Sequence, residues 1–470
     1  MLTYSNRWAI RNCGLLLFQS LINYLIGTQS KEKTEAGWDG GAKAISYEKY
    51  PNLGEQLLQL LDAAAGFNSG EAFSNAIETI FPVLDILRRA GPPEELLEQI
   101  LTRLLSTISH KIWHIRDLSA RTFCVLTPKN RWMDAVQSLL EPFGNHGDGS
   151  KTENQQHGAL LAAKLLLEQH LPQCDLSSEG QYYMSITLPI TYLLVLDVIQ
   201  TLSPMLEVCF TLSPTTLRSP FGLAAMVDLQ NTTLAHILSS SRTGNRALFR
   251  NDGLVALIHG SFIRPGDSYT RLESLLRECG CPRERVPQTS IVGQAHTLAF
   301  KQAVYLSAIE QDVSALRIIL DLSAKYGMET LVATLECVSE VWIWDKADDV
   351  LYRLAEIHIA ALQAPISAKA PGVRAAALNN LCSICDAVKD LGSKVLRDAM
   401  LKLNDVLSVA AYTRLPTSPS LEIAKIRMSG ISILSEVLSS NSLGEDTKSK
   451  IHCWGMCLRD ACRDEKVSYS

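Results

Sequence analysis

A chain of 470 residues with 47% hydrophobic and 20% charged side chains has the apolar mass for a large core, and at roughly 150 residues per domain it holds about three domains or one continuous array. Forty-four basic against forty-nine acidic side chains leave a formal charge of −5, which excludes a uniformly basic nucleic-acid binder but leaves room for a local basic groove. Twelve scattered cysteines exclude a disulfide-dense scaffold, and Arg7 and Arg11 interrupt any secretory pattern over Met1 to Gly27, so a reducing, cytoplasmic setting is expected.

In chain order, apolar residues recur at three- and four-residue steps over Arg7–Ile26, Ala72–Arg89, Glu94–Ile108, Ile112–Leu126 and Gln155–Glu168, and each stretch predicts an amphipathic helix. Thr28–Ser46 and Gly144–Gln156 read as exposed loops. Ser185–Pro204 is almost wholly apolar, but Asp197, Pro189 and the lack of a flanking basic cluster predict a helix buried among others rather than a membrane span. Helical periodicity returns over Val292–Glu310, Val350–Ala364, Val373–Val388 and Leu421–Leu438, after which Ser439–Lys450 leads to a short terminal segment. Strand patterns are sparse, which argues against a doubly wound nucleotide-binding domain.

One pattern recurs on these helices: aliphatic, Arg, two residues, small, three residues, Leu or Phe. It occurs as Ile10-Arg11-Gly14-Phe18, Ile115-Arg116-Ser119-Phe123, Val373-Arg374-Ala377-Leu381 and Ile426-Arg427-Gly430-Leu434. Its first, fifth and ninth positions share a face, and the small fifth residue admits a second helix closely. This is how a helix of a HEAT or armadillo-like repeat reads, so the expected fold is an all-α solenoid, a right-handed curved array of antiparallel helix pairs, with room for roughly ten repeats. The alternative is a compact all-helical domain pair. The pattern's arginines are expected to partner loop or neighbouring carboxylates. The lack of a polar cap at Met1 suggests the C-terminal part of a longer array, or a short gene product.

Catalytic patterns are missing: no GxxxxGK[ST], no GxGxxG after a strand and no GxSxG. His110 and His114 share one helix face without the glutamate of a zinc protease, and read as a surface pair. Cys382 and Cys385 fall inside a helical pattern instead of at a redox helix start, while Cys279 and Cys281 lie far from Cys453, Cys457 and Cys462; all read as free thiols. No catalytic, cofactor-binding or metal residue is therefore expected in the chain. Arg242, Arg246 and Arg250 stand at four-residue steps in a stretch without acids, and are candidates for contact with an RNA backbone.

Four further stretches resemble the THADA-like family: SNRWAIRNCGLLLFQSLINYLIG (5–27), YEKYPNLGEQLLQLL (47–61), IWHIRDLSARTFCVL (112–126) and NQQHGALLAAKLLLE (154–168). The residues that match are Trp8, Arg11, Asn12 and Gly27 in the first, Tyr50 and Pro51 in the second, Arg116, Ala120 and Arg121 in the third, and Asn154, His157 and Gly158 in the fourth. The resemblance covers a signature region over residues 1–170; the residue pattern itself predicts continuing irregular helical repeats over 171–438 and a loop with a short C-terminal helix over 439–470. The resemblance implies a non-catalytic partner of an FtsJ-like tRNA 2'-O-ribose methyltransferase, acting at anticodon-loop nucleotide 32, with S-adenosylmethionine bound by that enzyme. The competing expectation is a general protein-interaction scaffold, such as a regulator of a membrane calcium pump.

Overall fold

The computed structural model describes residues 7–26, 47, 49–66, 80–143, 152–170, 210, 217, 219–240, 267–279, 289–310, 312–341, 348–363 and 371–388. Every regular element among them is helical: α1 (Trp8–Ile26), α2 (Pro51–Gly66), α3 (Ile80–Ala90), α4 (Leu97–Thr107), α5 (Trp113–Leu126), α6 (Trp132–Leu140), α7 (Glu153–His170), α8 (Pro220–Ser240), α9 (Asp267–Glu278), α10 (Ile291–Glu310), α11 (Val313–Tyr326), α12 (Met328–Val341), α13 (Asp348–Gln363) and α14 (Pro371–Val388). None of them is long and apolar enough to cross a membrane.

The chain divides into two compact units, Met1–Thr233 and Leu234–Ser470. In the first, α1, α3, α5 and α7 form one row in which each helix packs on the next, α2 and α4 form a second row against it, and α6 covers α7. In the second, α10, α12 and α14 make one row and α9, α11 and α13 the other. Packing between next-but-one helices is the mark of stacked two-helix repeats, because those helices are equivalents in adjacent repeats. The fold is thus the all-α, HEAT/armadillo-like solenoid, and the alternative of helices meeting chiefly across distant sequence does not hold among the described residues. Equivalent helices begin at residues 80, 113 and 153 in one row and at 291, 328 and 371 in the other, so the repeat length drifts and no fixed period is visible in the sequence.

Three copies of the recurrent pattern lie on α1, α5 and α14, one helix row in each unit, and their small residues Gly14, Ser119 and Ala377 are all buried. The fourth copy, with Leu421–Leu438, Ser185–Pro204, Thr28–Ser46 and Ser439–Lys450, lies outside the described residues. One boundary needs correction. The expected loop to Gln156 ends earlier, because Thr152 and Gln155 form a reciprocal capping box, Thr152 N–H donating to Gln155 Oε1 at 2.8 Å and Gln155 N–H to Thr152 Oγ1 at 3.4 Å, and α7 starts at Glu153. Asp312 caps α11 in a similar way, its carboxylate accepting from Ser314 and Ala315 N–H.

Candidate functional site

Arg116, near the start of α5, is 4% exposed. Its guanidinium reaches the turn that follows α4 and the facing side of α7. One terminal nitrogen donates to the carbonyls of His110 (2.7 Å) and Lys111 (3.0 Å) and to Asn154 Oδ1 (2.9 Å), while Nε–H donates to His157 Nδ1 (3.1 Å). Asn154, His157 and Gly158 stand at i, i+3 and i+4 on α7, so a single face of that helix meets both α5 and the turn. Gly158 is required by space: a Cβ there would lie 1.7 Å from the Ile108 carbonyl oxygen. The third and fourth sequence motifs are therefore two halves of one buried clasp.

The electrostatics of the clasp hold its imidazoles neutral. Burial, and then the Arg116 cation, push His157 down to about 4. Since Nδ1 accepts from the arginine, the ring proton sits on Nε2. His110 is lowered first by burial and then by Lys111 and Arg116, and its Nδ1 accepts the Ile112 N–H at 3.0 Å. Burial also lowers Arg116, but a guanidinium keeps its charge in proteins. The cation is met by carbonyl, amide and imidazole lone pairs, so the expectation of carboxylate partners is corrected for Arg116. Arg121, which is not one of the pattern's arginines, is exposed and pairs with Asp117 at 3.0 Å.

What the clasp fixes is the α4–α5 turn, and that turn carries an exposed ridge of Lys111, Trp113 and His114. Trp113 is 43% exposed and stands edge-on to His114, ring centroids 4.8 Å apart. His110 and His114 do not form a surface pair: His110 lies buried in the turn before α5, and only His114 is on the helix and exposed. The sequence offers Trp113 and Trp132 alike for stacking or for packing between helices; the structure exposes Trp113 and buries Trp132.

The other expected residues are dispersed. Asn12 is exposed on α1 and Ala120 fully buried on α5. Tyr50 is 46% exposed, whereas the neighbouring Tyr47 does the anchoring, its hydroxyl donating at 2.7 Å to the carbonyl of Gly91, the glycine at φ 75° that ends α3. Trp8, Arg11 and Pro51 belong to α1 and α2, but their side chains, with Gly27 and with Arg242, Arg246 and Arg250, lie outside the described residues. Cys382 and Cys385 fall on α14, their side chains likewise outside; Cys279 is buried and in no disulfide. Among the described residues no three His, Cys, Asp or Glu side chains gather as a metal ion would need.

Residues 11–166 match a family described as Trm732, C-terminal TPR repeats, a span that contains the whole clasp. Over 186 residues the chain is 25% identical to the tRNA (32-2'-O)-methyltransferase regulator trm732 of Schizosaccharomyces pombe. That alignment covers 37% of this chain and 12% of the relative, so the chain spans a small part of the relative's length. No solved structure matches the chain.

Proposed function

We propose that this chain is a non-catalytic, regulatory part of a tRNA-methylation system, positioning tRNA for an FtsJ-like 2'-O-ribose methyltransferase that binds S-adenosylmethionine and acts at anticodon-loop nucleotide 32. The observation that carries the reading is that the match to the Trm732 C-terminal repeat family falls on residues 11–166, the segment whose signature residues close the Arg116 clasp, in a chain similar to a regulator of tRNA (32-2'-O)-methylation. Both histidines of the clasp are buried and spend their Nδ1 lone pairs on the N–H groups of Ile112 and Arg116, so neither offers a free basic nitrogen to a substrate. A scaffold needs none: holding a flexible loop against a partner's methyl donor lowers the orientational cost of the reaction. On this reading the rigid α4–α5 turn offers Trp113 for base stacking and Lys111 for a phosphate, Arg242, Arg246 and Arg250 add backbone contacts, and the protein works in the cytoplasm.

The test is ribose methylation at nucleotide 32 in cells lacking the protein, with other methylations as controls. Loss at that position supports the reading; unchanged methylation overturns it. In a reconstituted reaction, purified chain with methyl donor alone should methylate nothing. Trp113→Ala should reduce the stimulation of the partner enzyme without altering the circular dichroism spectrum. Arg242→Glu/Arg246→Glu/Arg250→Glu should lower tRNA affinity and flatten its salt dependence.

A further inference from the structure

Away from residues 11–166, in the second unit, α11 and α13 lie side by side in one row and leave between them a cleft of about 740 Å³. Its floor is apolar, from Val313 and Ile318 on α11 and Ile357 on α13. One guanidinium stands on each wall, Arg317 from α11 and Arg353 from α13, with Glu356 one turn after Arg353. Ile318 is 51% exposed, and both arginines and Glu356 are exposed as well. Among the described residues no carboxylate answers either arginine, whereas elsewhere Arg89, Arg103, Arg121 and Arg131 each hold an acid.

We propose that this cleft receives an acidic amphipathic helix of a partner protein, with an apolar stripe at i, i+3 or i+4 and i+7 on the floor and carboxylates on both flanks meeting Arg317 and Arg353. The charges and the apolar floor select this occupant together. A phosphate backbone would answer the two arginines but leave the apolar side chains of Ile318 and Ile357 uncovered. A small ligand is ordinarily enclosed over most of its surface, and walls this exposed do not enclose one. A helix laid along α11 and α13 covers the apolar side chains between them, and its flanks reach both guanidiniums. Acid-to-arginine pairs at the rim then set orientation and partner choice more than total affinity. The surface is separate from the Arg116 clasp, so the inference does not depend on the role proposed for residues 11–166.

The test is selection from a display library of randomised helical peptides against the full chain, followed by fluorescence anisotropy with the selected peptides. The expected binders carry Asp or Glu on both sides of an apolar stripe. Arg317→Glu/Arg353→Glu should weaken them by about tenfold or more, and Ile318→Asp should weaken them through the floor. Peptides with Lys in place of the flanking acids should regain affinity for the double arginine variant only, a rescue that unfolding cannot mimic. Far-UV circular dichroism checks that the variants keep their helices. Binders without acidic bias, no binder at all, or affinities indifferent to the arginine changes would overturn the proposal. It would also be overturned if single-stranded oligouridylate bound the chain and lost that binding in the double variant while the peptides kept theirs.

Discussion

In the first unit, α5, α7 and the α4–α5 turn meet around the Arg116 guanidinium; in the second, α12, α13 and α14 meet around the amide of Asn380. Asn380 Nδ2 donates to the Leu335 carbonyl at 2.7 Å and to His358 Nε2 at 2.8 Å, and His358 Nδ1–H donates to the Leu354 carbonyl at 2.6 Å. Both clusters tie equivalent helices of adjacent repeats and both contain a neutral buried histidine, pushed down to about 4 at His157 and His358 alike. They differ in charge. The neutral cluster is closed by one amide with two donors for two acceptors, whereas the charged one brings a cation to the backbone of a turn. Each network joins three elements, so what sets the arginine apart is its reach from α5 to the backbone of the preceding turn and to α7, together with a glycine that lets α7 approach.

Breaking each centre should therefore give unequal effects. Arg116→Leu leaves the His110 and Lys111 carbonyls, Asn154 and His157 without a donor in a buried place, and should cost about 3–5 kcal/mol in urea unfolding. Asn380→Leu orphans two acceptors and should cost about 1–3 kcal/mol. Equal losses would remove the distinction between the two clusters.

Acid sharpens the likeness between them. Unfolded, each imidazole takes up its proton near 6.5; folded, His157 and His358 do so only near 4. Between those values the unfolded chain binds more protons, so the stabilisation is complete above pH 6.5 and is lost as pH falls toward 4, on the order of 3 kcal/mol for each histidine. Hydrogen exchange at pH 7.5 and pH 5 should show protection falling in both α5–α7 and α12–α14. Loss confined to one unit would show that only one histidine is held neutral.

Two smaller changes test the geometry of the clasp. Gly158→Ala forces a methyl into the Ile108 carbonyl and should lower stability by about 1–3 kcal/mol, while Gly222→Ala in α8, whose nearest neighbour would be 3.5 Å away, should be neutral or slightly stabilising. Thermal melts of the two variants give the contrast directly. Smallest of all, Arg121→Ala removes an exposed ion pair with Asp117 and should change stability by no more than about 0.5 kcal/mol, although Arg121 belongs to the same motif as Arg116.

That contrast within one motif shows how much of the site could be read in advance. The heptapeptide from Ile115 to Arg121 has two arginines that look alike in one dimension. Only burial separates them, and burial depends on where α7 lies. Likewise YEKYP offered two tyrosines, and the one that anchors the segment is Tyr47, because Gly91 happens to present a carbonyl to it. The Asn-x-x-His-Gly spacing did disclose that its three residues share a helical face, since i, i+3 and i+4 geometry is local.

Local periodicity was likewise enough to determine the helical class, the small buried positions Gly14, Ser119 and Ala377, and the repeat character, because the 3.6-residue turn converts spacing directly into faces. The capping pair Thr152 and Gln155 was also present in the sequence as a start signal, overlooked in favour of the polar loop before it. Only the tertiary structure decided which helices stack in which row, which residues close the Arg116 and Asn380 clusters, and that Arg317 and Arg353 line one cleft between α11 and α13. Those pairings join residues some twenty to forty-five positions apart, and their register follows from irregular loop lengths and from how closely backbones can approach, quantities that no local pattern of residues contains.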